Sequence, residues 1–142
     1  MTSDPVSLRT ITKAVIGSAI EVHRTLGPGL LESAYEACLA HELGLRGLSF
    51  ERQTALPIRY KELSVDAAFR IDFIVEGLVL IELKAVSDLL PIHEAQVLTY
   101  LRLSRIDVGL LMNFHARLLT SGIRRFARTG ASLPHLRSRD GD

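Results

Sequence analysis
The 142-residue chain has one cysteine, Cys38, so it can form neither an intrachain disulfide nor a cysteine zinc cluster, and a lone thiol suits a reducing cytosol. Helix-spaced apolar neighbours around Cys38 predict a core residue rather than a nucleophile. No apolar run reaches the roughly 18 residues of a membrane span, and Met1 to Pro5 lacks the basic and apolar regions of a signal peptide, so a cytoplasmic protein is expected. Internal repeats and linkers are absent, which predicts one domain over 1–128. Net charge is nearly absent too, at +1, but it is unevenly spread: residues 115–142 carry a formal +4 from six arginines, the first 114 a formal −3. Such an end is either a phosphate-contacting surface or a solvated basic tail. Residues 129–142 lack periodicity and read as a frayed tail. What remains, 47% hydrophobic and 23% charged, is ordinary for a folded globular domain.

The informative stretch is Arg70 to Ala85. Two apolar runs flank Glu76-Gly77, the composition of a β-hairpin. Ile71, Phe73 and Val75 alternate with Arg70, Asp72 and Ile74; Val79, Ile81, Leu83 and Ala85 alternate with Leu80, Glu82 and Lys84. Strand alternation gives each run one apolar and one charged face. A two-residue turn would set Asp72 opposite Ile81 and send Glu82 to the wrong face. A three-residue loop with Gly77 left-handed pairs Asp72 with Leu80 and makes Glu82 a diagonal neighbour on the same face. The second register is expected, because it gathers both apolar sets on one side. Two carboxylates and a lysine on one face suit Mg²⁺ or Mn²⁺ and an activated water. A surface ion-pair cluster is the alternative.

Along the rest of the chain, Asp4-Pro5 reads as a helix start, followed by Leu8, Ile11, Val15, Ala19, Val22 and Leu26 at helical spacing. Gly27-Pro28-Gly29 ends that helix. A second helix is expected from about Leu30 to Leu43, with Leu30, Leu31, Ala34, Cys38 and Leu39 as its apolar set and Gly44 and Gly47 as its stop. Glu32 falls in its first turn, where the helix dipole alone explains a carboxylate. Leu48 to Tyr60 reads as extended, with Pro57 marking an edge or a bulge, and Tyr60 to Asp66 as a turn. Ser87 or Asp88 can cap a third helix, about Pro91 to Leu103, whose His93, Gln96 and Tyr100 share a face. Ile106 to Met112 reads as an interior strand, Gly122 to Ala127 as a last short one. The order ααβββαββ predicts a mixed sheet flanked by helices, in the α/β (α+β) class.

This order, with Asp72 before Glu82-Leu83-Lys84, resembles the PD-(D/E)XK nuclease superfamily with its restriction-endonuclease-like fold. Gly29-x-x-Glu32-x-x-Tyr35 matches the motif naming its GxxExxY branch. Gln96-x-x-x-Tyr100 resembles the glutamine–tyrosine helix motif of RecB and phage-exonuclease nucleases, and Asn113-Phe114 and Gly122-Ile-Arg-Arg125 resemble the branch's C-terminal segment. The likeness spans about residues 11 to 127; Ile71 replaces the name-giving proline, a position that holds no ligand. It implies that Asp72 and Glu82, with the Leu83 carbonyl and Glu32, ligate Mg²⁺ or Mn²⁺. It further implies that Lys84 polarises the water, and that Gln96 and Tyr100 line the site and contact the nucleic-acid backbone. Arg124, Arg125 and Arg128 would serve as phosphate clamps, and His93 could meet a phosphate or simply lie at the surface. Phosphodiester hydrolysis in this manner needs no covalent intermediate, and no serine–histidine pairing stands out. The expected activity is a metal-dependent nuclease, DNA ahead of RNA, with a protein partner to supply substrate and a homodimer left open. The alternative is a non-catalytic nucleic-acid-binding or assembly module on the same fold.

Overall fold
A computed structural model describes residues 5–128; Asp4 and the stretch 129–142 lie outside the described residues. The element order is α1 (Pro5–Leu26), α2 (Glu32–Leu45), β1 (Phe50–Tyr60), β2 (Leu63–Val75), β3 (Val79–Lys84), α3 (Pro91–Ser104), β4 (Val108–Asn113), a 3₁₀ turn (Leu119–Gly122) and β5 (Ile123–Ala127). The strands form one sheet in the order β1-β2-β3-β4-β5, with β3 and β4 parallel and every other pair antiparallel. A parallel pair needs a crossover, and α3 supplies it.

Helices cover both faces, which divides the core in two. Val15, Ala19 and Val22 of α1 and Tyr35, Leu39 and Leu43 of α2 pack on Phe73, Val75, Val79, Ile81, Leu83, Leu110 and Met112. Across the sheet, Val97, Tyr100 and Leu101 of α3 pack on Ile71, Ile74, Leu80, Leu111 and Phe126. Gly109 lets α3 approach: a Cβ there would lie 2.9 Å from Val97 and 3.2 Å from Leu101. No helix among the described residues is long and apolar enough to cross a membrane.

The α1 periodicity is as expected, but α2 turns a different face inward. Leu31 is 77% exposed and Cys38 is exposed as well, while Tyr35, Leu39, Ala40 and Leu43 are buried. Apolar residues surround this helix almost evenly, so the spacing alone could not choose the buried side. Leu45 ends α2, and Gly47 at φ 77° closes it as a Schellman motif, with Leu48 N–H donating to Leu43 O and Gly47 N–H to Gly44 O. The segment expected as a turn from Tyr60 to Asp66 shrinks to Lys61-Glu62, and β2 already begins at Leu63. At α3 neither Ser87 nor Asp88 is the cap: Leu90 holds that position, and its N–H donates to His93 Nδ1 at 2.9 Å. Pro57 sits where the β1–β2 register shifts, on an edge strand, so both halves of its expectation hold.

The hairpin confirms the three-residue loop, with Gly77 left-handed at φ 66° and Glu76 likewise at 54°. Its register differs from expectation by two residues. Phe73 pairs with Ile81 and Val75 with Val79, which sets Asp72 across from Glu82 rather than from Leu80. A two-residue shift preserves facing, so the carboxylates still meet. The idea of one apolar and one charged face fails, since helices bury both sides. Alternation itself breaks at Asp72: Ile71 packs in the α3 core, while Phe73, two residues on, packs in the α1/α2 core.

Candidate functional site
The break at Asp72 interrupts the β2–β3 ladder. Regular β2–β3 pairing ends at Phe73/Ile81, and beyond it the Asp72 carboxylate takes the place of a ladder partner: Leu83 N–H donates to Oδ2 at 2.8 Å. Neighbouring β1 is irregular at the same level, where Gln53 adopts φ 51° and its Nε2 donates to Asp72 Oδ1 at 3.1 Å. Asp72 and Glu82 are both buried, 7% and 6% exposed. Lys84, last in β3, brings Nζ to 3.9 Å from Glu82 Oε2, but Glu82 Oε1 is buried without any partner. A buried acceptor with no donor calls for a proton or a cation.

The electrostatics couple several elements to this carboxylate pair. The Glu82 carboxyl is pushed up to about 8, by burial first and then by Asp72 beside it, against the opposing pull of Lys84. Asp72 is raised as well, by burial first and then by Glu36, against the opposing Leu83 N–H, Gln53 and Lys84. Glu32 opens α2 at the solvent rim; loss of solvation, Asp72 and Glu36 raise it, while Lys84 opposes. From the opposite face, burial raises the Tyr100 hydroxyl, and Glu82 and Asp72 add to the shift. His93, one α3 turn before Gln96, is lowered by burial and by Lys84. Side chains of α2 on one face and of α3 on the other thus couple electrostatically to this one carboxylate pair.

Gly29, Glu32 and Tyr35 are explained as one device. Gly27 and Gly29, at φ 73° and 105°, turn the chain between α1 and α2, a path that favours glycine. Tyr35 is fully buried against Phe114, ring centroids 4.8 Å apart, and its hydroxyl donates to Gly27 O at 2.6 Å while accepting from Leu30 N–H at 3.1 Å. Tyr35 therefore fixes the loop that delivers Glu32. Asn113 does the same beyond β3, bonding Val86 N–H and O through its side-chain amide, and Phe114 N–H donates to Lys84 O.

The arginines divide. Arg124 lies level with Glu82 two strands away, since Glu82 and Arg124 both pair with Leu111, and it is ion-paired with Glu94 of α3. Arg125 is exposed and points to the other face. Arg128 binds Asp107 at 2.6 Å before the start of β4, the end of the strand opposite Lys84 and Asn113, and is not brought to the carboxylates. Two participants escaped the sequence reading, Glu36 and Gln53. The i,i+4 spacing of Glu36 from Glu32 was a usable signal. Gln53 gave none, because nothing in a glutamine foretells a left-handed backbone.

Among the described residues no three His, Cys, Asp or Glu side chains form a ready-made cation cage. The donor set nonetheless fits a hard divalent ion: two adjacent buried carboxylates, one with an orphaned oxygen, and a third carboxylate at the rim. A family model described as the PD-(D/E)XK nuclease superfamily matches residues 9–126. Neither a curated protein nor a solved structure matches the chain.

Proposed function
Because the chain belongs to the PD-(D/E)XK nuclease superfamily, we propose that it is a Mg²⁺- or Mn²⁺-dependent phosphodiesterase acting on nucleic acid, DNA ahead of RNA. The observation that carries this reading is the buried, unpartnered Glu82 Oε1 beside Asp72. Asp72, Glu82 and the Leu83 carbonyl, with Glu32 at the rim, would hold the cation. When bound, such an ion acidifies water and neutralises charge on phosphate oxygens.

The protein's own groups supply the rest. Lys84 orients the attacking water and stabilises charge developing on the phosphate. Tyr100, its hydroxyl pKa raised, keeps its proton and donates to a phosphate oxygen. His93, its pKa lowered and its Nδ1 accepting from Leu90 N–H, carries its ring proton on Nε2 and donates from there. Gln96, with Oε1 buried and unpartnered, lines the same helix face. Arg124 reaches phosphate by exchanging Glu94 for it. The Gly29, Glu32, Tyr35 spacing supports the GxxExxY branch.

The test is cleavage of single-stranded, double-stranded and flapped DNA and of RNA, with Mg²⁺, Mn²⁺ or chelator. Metal-dependent product that disappears in Asp72→Ala and Lys84→Ala is expected. Binding without hydrolysis on every substrate would replace this reading by a non-catalytic module.

A further inference from the structure
Gln53 stands at a costly conformation in an exposed edge strand, where its side chain fills no core. Left-handed φ is uncommon for a residue with a Cβ and persists where surrounding contacts over-determine it. Those contacts are specific here. One amide nitrogen, Nε2, uses both of its hydrogens on carboxylates: Glu36 Oε1 and Oε2 at 3.0 and 3.1 Å, and Asp72 Oδ1 at 3.1 Å. Glu36 is itself fixed by Arg52 at 3.3 Å, and Arg52 lies over the Phe73 ring at 5.9 Å. The connected set Phe73–Arg52–Glu36–Gln53–Asp72 runs from the core, over the edge strand, to the outer oxygen of Asp72.

We propose that Gln53, anchored by Glu36, is a positioning residue that aims the Asp72 carboxylate at a divalent cation held with Glu82. With Leu83 N–H on Oδ2 and Gln53 on Oδ1, both oxygens are fixed, and each keeps lone-pair capacity for a cation. The amide also separates Asp72 from Glu36, so two anions share a donor instead of facing each other. The inference rests on the cation site of the proposed function, and the measurement below tells the two apart.

The experiment is Mn²⁺ titration of the full chain by calorimetry, alongside melting without metal, for wild type, Gln53→Gly, Glu36→Ala, the double variant and Asp72→Asn. Glycine accepts φ 51° freely and, at an exposed site, leaves no cavity. Gln53→Gly and Glu36→Ala should each weaken Mn²⁺ affinity roughly tenfold, as for other residues that hold a metal ligand. Their combination should be no worse than either alone, because they act through one clamp. The metal-free melting temperature of Gln53→Gly should not fall. Affinities within twofold of wild type, or fully additive losses, overturn the clamp while leaving the cation site standing. Failure of the wild type to bind Mn²⁺ more tightly than Asp72→Asn overturns both.

Discussion
Tyr35 and Gly27 are joined by a 2.6 Å hydrogen bond from hydroxyl to carbonyl, so the first residue after α1 is tied to the first turn of α2. Tyr35→Phe keeps the stack on Phe114 but removes this bond and the one from Leu30 N–H. A loss of about 1–3 kcal/mol in urea unfolding is expected, since two backbone groups lose their partner. Cleavage should fall as well, because Glu32 rides on that loop. Unchanged stability would mean that the loop is held by Gly29 and the helix ends alone.

The Glu82 carboxyl gives stability a definite pH slope. Its pKa rises from an ordinary 4.5 to about 8 in the fold, so the unfolded chain releases this proton at lower pH than the folded one. Its contribution is fully present below about pH 4.5, is lost as pH climbs toward 8, and is level above that; the total is up to about 5 kcal/mol. Asp72 and Glu32, also raised, act in the same direction. Metal-free melting curves of wild type and Glu82→Gln from pH 5 to 9 should therefore diverge in favour of the variant. Parallel curves would contradict the burial of this charge.

Chemistry and stability should separate at Asp72 and Lys84. Asp72→Asn and Lys84→Met should each lower metal-dependent cleavage about 10²-fold or more, the usual loss when a charge-stabilising group is removed. Asp72→Asn should change the metal-free melting temperature little, because removing an anion that destabilises Glu82 offsets the loss of one acceptor, the amide serving only one of the two donors Leu83 N–H and Gln53 Nε2. A large drop in its melting temperature would point to a purely structural role for the Leu83 N–H bond.

Gly109→Val tests the close approach of α3 to the sheet. A side chain there meets Val97 and Leu101 at 2.9–3.3 Å, so overpacking should cost about 1–3 kcal/mol by chemical denaturation. The proposed cleavage should fall with it, since Gln96 and Tyr100 ride on the displaced helix.

Much of the fold was legible because Val15, Ala19 and Val22 recur at helical spacing and Val108 to Met112 form one short apolar run. Asp72, Glu82 and Lys84 were legible because their parity survives a two-residue register error. The buried side of α2 was not, since its apolar residues leave no polar stripe to choose by. The flip of Ile71 was hidden too, because both faces of β2 are buried here and an apolar side chain fits either one, so the alternation could not mark where facing changes. Gln53 and Glu36 were found only through three-dimensional contact: their importance lies in a bond between strand and helix that neither local pattern encodes.

The outer flank of β1 pairs with no strand among the described residues, and a bare row of backbone groups there is a template for accretion of further copies. Pro57 offers no N–H at its register shift, and the left-handed Gln53 interrupts the regular pleat four residues earlier. The backbone departure that places Gln53 Nε2 on Asp72 thus also breaks the regularity that a further strand would need to pair along this flank.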